Sequence, residues 1–244
     1  MFVKAGANPG NFAPYSRAWQ IETEHVFSPK MRVRLNYLAN DSGGVVVLNS
    51  QVVRQNNALV LGGNGSSQYR QLEITAVLAP RGSQKIFLSY VRSRAHGDLN
   101  DFSKYLGDFP SPVVQPNQFT KLPGDLPNRF LAWGFFPLPW HMRLAPVVEY
   151  HTGLTYAPVD AARNYVGVPY SDRFRYPVFF SADARASKDV KVNEKYSLRF
   201  SLSVLNMTNH FNALDVYANT GDPHYGTFIG NYKPKVGGDF DVLF

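Results

Sequence analysis

Cysteine is absent from all 244 residues, which removes disulfides, iron–sulfur clusters and thiolate zinc sites while leaving the cellular compartment open. No run of 18 apolar residues occurs, so a transmembrane helix has nowhere to form. The six histidines, His25, His96, His141, His151, His210 and His224, show neither HxxxH nor HxH spacing, which argues against a metal site. There is no GxSxG. Gly62-Gly63-Asn64-Gly65 lacks the Lys-Ser/Thr and following helix of a phosphate loop and reads as a connection using glycine for its permissive dihedrals. Glu149, His151 and Asp160 could be drawn as catalytic, but a polar pair at a strand end explains the first two more simply. Asn40-Asp41-Ser42 and Asn206-Met207-Thr208 match the glycosylation pattern without further support. No catalytic residue and no cofactor is implied. The net charge of +7 comes from Lys and Arg scattered through turns and alternating segments, without a basic helix or stripe, so nucleic acid is not an expected partner. Residues 1–10 lack the apolar core of a secretory signal, and no composition break divides 1–244 into two domains.

Aromatics are plentiful, with 14 Tyr and 18 Phe, and mean hydropathy is −0.24. The dominant pattern is a period of two. Met31, Val33, Leu35 and Tyr37 share one face, and Arg32, Arg34 and Asn36 the other. The same alternation marks 16–27, 71–78, 85–94, 129–138, 142–150, 178–187, 196–204 and the C-terminal run. These are nine antiparallel strands, and most reach the length that crosses a bilayer at a tilt. Connections are short at Ser28, Arg81, Pro139 and Val190. They are long at 40–66, 95–127, 152–174 and 206–232. Strict short–long alternation is the habit of outer-membrane barrels, in which one rim has tight turns and the other long loops.

The chain ends Asp239-Phe240-Asp241-Val242-Leu243-Phe244. Two carboxylates opposite Phe240, Val242 and Phe244 suit a strand with lipid outside and water inside. A terminal Phe on such a strand resembles the C-terminal assembly signal of bacterial outer-membrane barrel proteins, which implies that Phe240, Val242 and Phe244 sit at the periplasmic rim and meet barrel-assembly machinery. An odd strand count places Met1 on the outer side, which implies the C-terminal part of a larger barrel. The same alternation points Glu22, Glu24, Arg32, Arg34, Glu73, Arg143, Glu149, Asp183, Arg185 and Arg199 inward. They line a substrate path, or more plainly form interior ion pairs or meet a plug. Loops at 98–125, 160–173 and 215–225 are rich in Tyr, Asn and Asp, as ligand-gripping loops and ordinary solvated loops both are.

Val204-Leu205-Asn206-Met207-Thr208-Asn209-His210-Phe211 resembles the Asn-x-x-Asn segment shortly before the last strand of TonB-dependent receptors. Arg129-Phe130-Leu131-Ala132-Trp133-Gly134, Arg143-Leu144-Ala145-Pro146, the run 180–189 and the terminal 239–244 together resemble the Oar-like group of those receptors. The resemblance covers nearly the whole chain from about Tyr15. It implies an all-β antiparallel transmembrane β-barrel segment, about nine strands of a roughly 22-stranded outer-membrane barrel with a plugged lumen. By this resemblance 1–244 is the C-terminal part of the barrel domain, and a plug and TonB-contacting region lie N-terminal to it. The implied partners are outer-membrane lipid, the TonB complex and a scarce ligand, small molecule, carbohydrate or peptide. A passive outer-membrane pore or adhesin-like barrel, and a soluble β-rich binding protein, are the competing readings.

Overall fold

The computed structural model describes residues 12–53, 56–102 and 114–243, so Phe244 lies outside the described residues. Among the described residues twelve strands follow in order: β1 (Tyr15–Ser28), β2 (Met31–Val53), β3 (Asn56–Leu78), β4 (Lys85–Asp98), β5 (Phe119–Lys121), β6 (Asn128–Leu138), β7 (Met142–His151), β8 (Phe179–Lys191), β9 (Ser197–Leu205), β10 (Asp215–Val216), β11 (Phe228–Ile229) and β12 (Lys235–Leu243). Nine of them form one antiparallel path, β1-β2-β3-β4-β6-β7-β8-β9-β12, with β5 added to the end of β4. β1 and β12 end the path and do not pair with each other.

The register aligns the alternation across the sheet. Leu35, Ile74, Tyr90, Phe130, Tyr150 and Phe180 stand opposite one another in a single row over six strands. The next row toward the tight turns is Val33, Ala76, Leu88, Ala132, Val148 and Ala182. Beyond β8 the apolar face continues through Val204 and Val236, Leu202 and Gly238, and Phe200 and Phe240. A one-residue slip anywhere would move a whole strand's apolar set to the other side, so this face pins the register.

No second layer packs on it. Among the described residues the buried apolar side chains are only Ala39, Val47, Leu48, Leu99, Val216 and the prolines Pro158 and Pro169, while Ile21, Leu202 and Phe240 are among many large apolar side chains left exposed. A face this extensive demands apolar surroundings. The buried residues collect instead at the end bearing the long connections, where Asn100, Asp125, Thr155, Asn206 and Asn212 lie in packed loops.

Two sequence expectations are corrected. The 40–66 stretch is not an irregular loop: β2 and β3 run through it as 23-residue strands paired as far as Val53 and Asn56. Its glycines permit close approach rather than coil. A Cβ on Gly65 would meet Val47 Cγ1 at 2.4 Å and the Val45 carbonyl at 2.8 Å, so only glycine lets the bulged Val45–Val47 stretch pass. The charged turn expected over 188–195 is shorter, because β8 continues to Lys191 and pairs with Ser197.

Candidate functional site

Opposite the apolar face lies a polar one. The register puts Glu22, Glu24, Arg32, Arg34, Glu73, Arg143, Glu149, Asp183, Arg185 and Arg199 all on this side. They are not one cluster but a series of neighbour pairs. Glu24 and Arg32 lie 3.5 Å apart and Glu22 and Arg34 3.8 Å apart, joining β1 to β2. Arg129 meets Glu149 at 3.0 Å between β6 and β7. Asp189 takes Arg143 from β7 and Arg199 from β9, each at 2.7 Å. Arg185 reaches over β9 to Asp239 of β12 at 2.7 Å. Glu73 accepts only a long bond of 3.4 Å from Gln71, and Asp183 accepts from Ser181 Oγ at 2.6 Å and the Asn206 amide at 2.8 Å. Arg129, Asp189 and Asp239 complete these pairs; of the three, only Asp239 was read from the sequence as a water-facing charge. Their signal was present in the alternation of β6, β8 and β12, since each sits in phase with the polar face.

Between Glu24, Arg32, Arg34 and Ser89 the polar face holds a cleft of about 390 Å³ whose wall includes Phe87 and Trp133. These two rings stack 3.8 Å apart at 10°. Flat aromatic surface beside two guanidinium groups can hold a planar or anionic group.

The long-connection end is a packed cap. Arg175 donates to Asp125 Oδ2 at 2.5 Å, to Asp172 Oδ1 at 2.8 Å, and to the carbonyls of Asp125 and Gly153 at 3.0 Å each. Lys121 pairs with Asp172 from the other side. These hydrogen bonds, first from Lys121 and then from Arg175, hold the Asp172 carboxyl below the usual aspartate range. A Cβ on Gly153 would lie 1.7 Å from the Tyr176 carbonyl, so glycine is required where these two segments cross. Tyr156, Phe174, Tyr176 and Phe228 form a ring cluster with centroids 5.5 to 6.1 Å apart. Burial pushes the Tyr156 and Tyr176 phenols up. Beside this cluster a cleft of about 430 Å³ runs between His151, Thr155, Tyr176, Phe179 and Leu214.

The Asn-x-x-Asn segment has a physical basis. Asn206 and Asn209 adopt φ of 49° and 51°, which asparagine tolerates better than most residues. Asn206 is fully buried and its amide donates to the carbonyls of His210 and Tyr232. Asn212 imitates a strand partner, accepting from the Phe180 amide and donating to its carbonyl at 2.9 and 2.8 Å. Among the described residues no three His, Asp or Glu side chains gather as a metal site. Glu149, His151 and Asp160 each have another partner: Arg129, the Phe179 ring at 4.6 Å, and Asn164.

A single-layer antiparallel sheet with one apolar and one charged face, tight turns at one end and a loop cap at the other, has the fold of a segment of an outer-membrane β-barrel wall. The comparisons with known proteins agree in fold. The ferric-catecholate import receptor Fiu from E. coli K12 superposes with a TM-score of 0.60 over 100% of this chain, at 15% identity. The outer membrane transporter YddB from E. coli superposes with a TM-score of 0.63 over 94%, at 12% identity. The chain spans 30% and 33% of the length of those two structures. No family model and no curated protein matches it.

Proposed function

We propose that the chain forms part of the wall and outer cap of a TonB-dependent transporter of the Oar-like group, binding a scarce ligand and importing it across the bacterial outer membrane. The observation that carries this reading is the two-faced wall. The row through Leu35, Ile74, Tyr90, Phe130, Tyr150 and Phe180 meets outer-membrane lipid, and the paired charges opposite line the lumen. In this reading the ten lumen residues contact a plug or the passing ligand. Phe240, Val242 and Phe244 report to the barrel-assembly machinery, and the TonB complex acts through a region N-terminal to the residues of this wall. The ligand, a small molecule, carbohydrate or peptide, is held first by the cap between Tyr156, Tyr176 and Phe228.

Ligand uptake by cells making the protein is the test. Uptake that disappears when TonB is deleted supports the proposal. TonB-independent uptake with steady single-channel conductance would mean a passive pore, and stable monomeric folding without detergent would mean a soluble binding protein.

A further inference from the structure

The apolar face changes character at its outer end. One register step beyond Tyr90 toward the long connections stands Arg92, and the next is Arg94, directly opposite Arg70 of β3. Like charges facing each other across a ladder are unfavourable unless a counter-charge sits between or above them. Arg70 is half resolved by the protein, bound to Asp41 at 2.7 and 2.8 Å and to the carbonyls of Asn40 and Tyr69. Arg92 donates to Asn128 Oδ1 at 3.1 Å, sharing that oxygen with the Tyr90 hydroxyl at 2.8 Å. Arg94 has no hydrogen bond or ion pair among the described residues and is exposed.

The three guanidinium groups border a hollow of about 430 Å³ shared with Tyr37, Leu72 and Lys121. Asp125 and Asp172 also border it, but Arg175 binds both and Lys121 binds Asp172. Tyr37, Leu72 and Arg92 share the register row next to the apolar band, and Arg70 and Arg94 stand in the next row toward the cap. An occupant therefore needs an anionic head above an apolar tail.

Resting on the barrel reading above, we propose that Arg92 and Arg94, bordered by Arg70, form a site on the lipid-facing side of the wall for a phosphate-bearing headgroup of an outer-leaflet lipid. Arginine forks match phosphate geometry, and the forks with donors to spare are those of Arg92 and Arg94, since Arg70 gives its terminal N–H groups to Asp41 and two carbonyls. The site lies at headgroup depth, immediately above an interfacial aromatic row.

The full-length protein, purified in detergent, is first inserted into neutral phosphatidylcholine liposomes and floated. It is then titrated with a phosphorylated glycolipid, its dephosphorylated form, and inorganic phosphate, with bound lipid counted by native mass spectrometry. Flotation with preferential binding of the phosphorylated glycolipid is expected, falling about fivefold for each of Arg92→Ala and Arg94→Ala. Arg92→Lys and Arg94→Lys, which keep the charge, retain most of the binding. Flotation with equal binding of both glycolipids, or with no effect of the alanine variants, overturns the site. Inorganic phosphate binding as tightly as the glycolipid overturns the lipid assignment. Failure to float overturns the barrel reading itself.

Discussion

Arg175 Nη2 lies 2.5 Å from Asp125 Oδ2, joining two long connections at residues 50 apart in sequence. Asp125 is 1% exposed, so this pair holds the cap as a buried ion pair rather than a surface contact.

Arg175→Ala leaves a buried carboxylate whose remaining acceptor bond comes from the Ala95 amide. A loss of about 3 kcal/mol is expected, since stranding one partner of a buried pair is costly. Asp125→Asn in the same background should restore part of it. Limited proteolysis within 152–178 reads both effects. Equal resistance of wild type and Arg175→Ala would show that the pair does not organise the cap.

The cap should loosen in acid. Asp172 has its folded pKa depressed by Lys121 and Arg175. The stabilisation is therefore complete above the unfolded value, about 3.9, and is lost as pH falls through the lower folded value. Cap proteolysis by an acid-active protease should be flat from neutral pH to about 5 and rise below 4. Asp172→Asn removes this part of the rise. A change centred near pH 6.5 would point to histidine instead.

Asn206 combines a φ of 49° with two amide donations from a fully buried side chain. Asn206→Ala strains the backbone and strands two carbonyls, costing about 2 to 4 kcal/mol. Asn206→Gly relieves only the backbone and should fall between. Thermal unfolding of the folded barrel, followed by heat-modifiable gel migration, ranks the three. Identical behaviour of Ala and Gly variants would remove the strain argument.

Phe240 is 69% exposed and stands opposite Phe200 on the apolar face. Phe244→Ala and Phe240→Ala should reduce the amount of barrel assembled in the outer membrane while leaving ligand affinity of the assembled fraction unchanged. Normal barrel levels with lost uptake would refute the assembly role.

Much of this wall was legible because its strands face two solvents. Met31 to Tyr37 alternates apolar and polar residues at every step, and that period survives whatever packs around it. The β2–β3 hairpin was not legible beyond Asn40. Its Gly43, Gly44, Gly62, Gly63 and Gly65 have the composition of a loop, and the close strand approach that Gly65 permits depends on Val45 and Val47 across the ladder. The lumen-type charges were readable as a face but not as pairs. Asp189 joins Arg143 and Arg199 only because β8 lies between β7 and β9. Cap contacts such as Asp125 with Arg175 carry no local signal at all, since two irregular segments meet there by tertiary packing.

The absence of cysteine makes the central claim directly measurable. Single cysteines placed along β7 sample both faces of the wall, and these 244 residues add no native thiol of their own. At Leu144 and Val148 they should resist a water-soluble maleimide and be quenched by lipid-phase probes, whereas at Arg143, Val147 and Glu149 they should react with the maleimide. Alternating reactivity along β7 in intact outer membranes is the expected result. Uniform reactivity at all five positions, or protection of Arg143 and Glu149 with reaction at Leu144 and Val148, would contradict a wall with lipid on one face and water on the other.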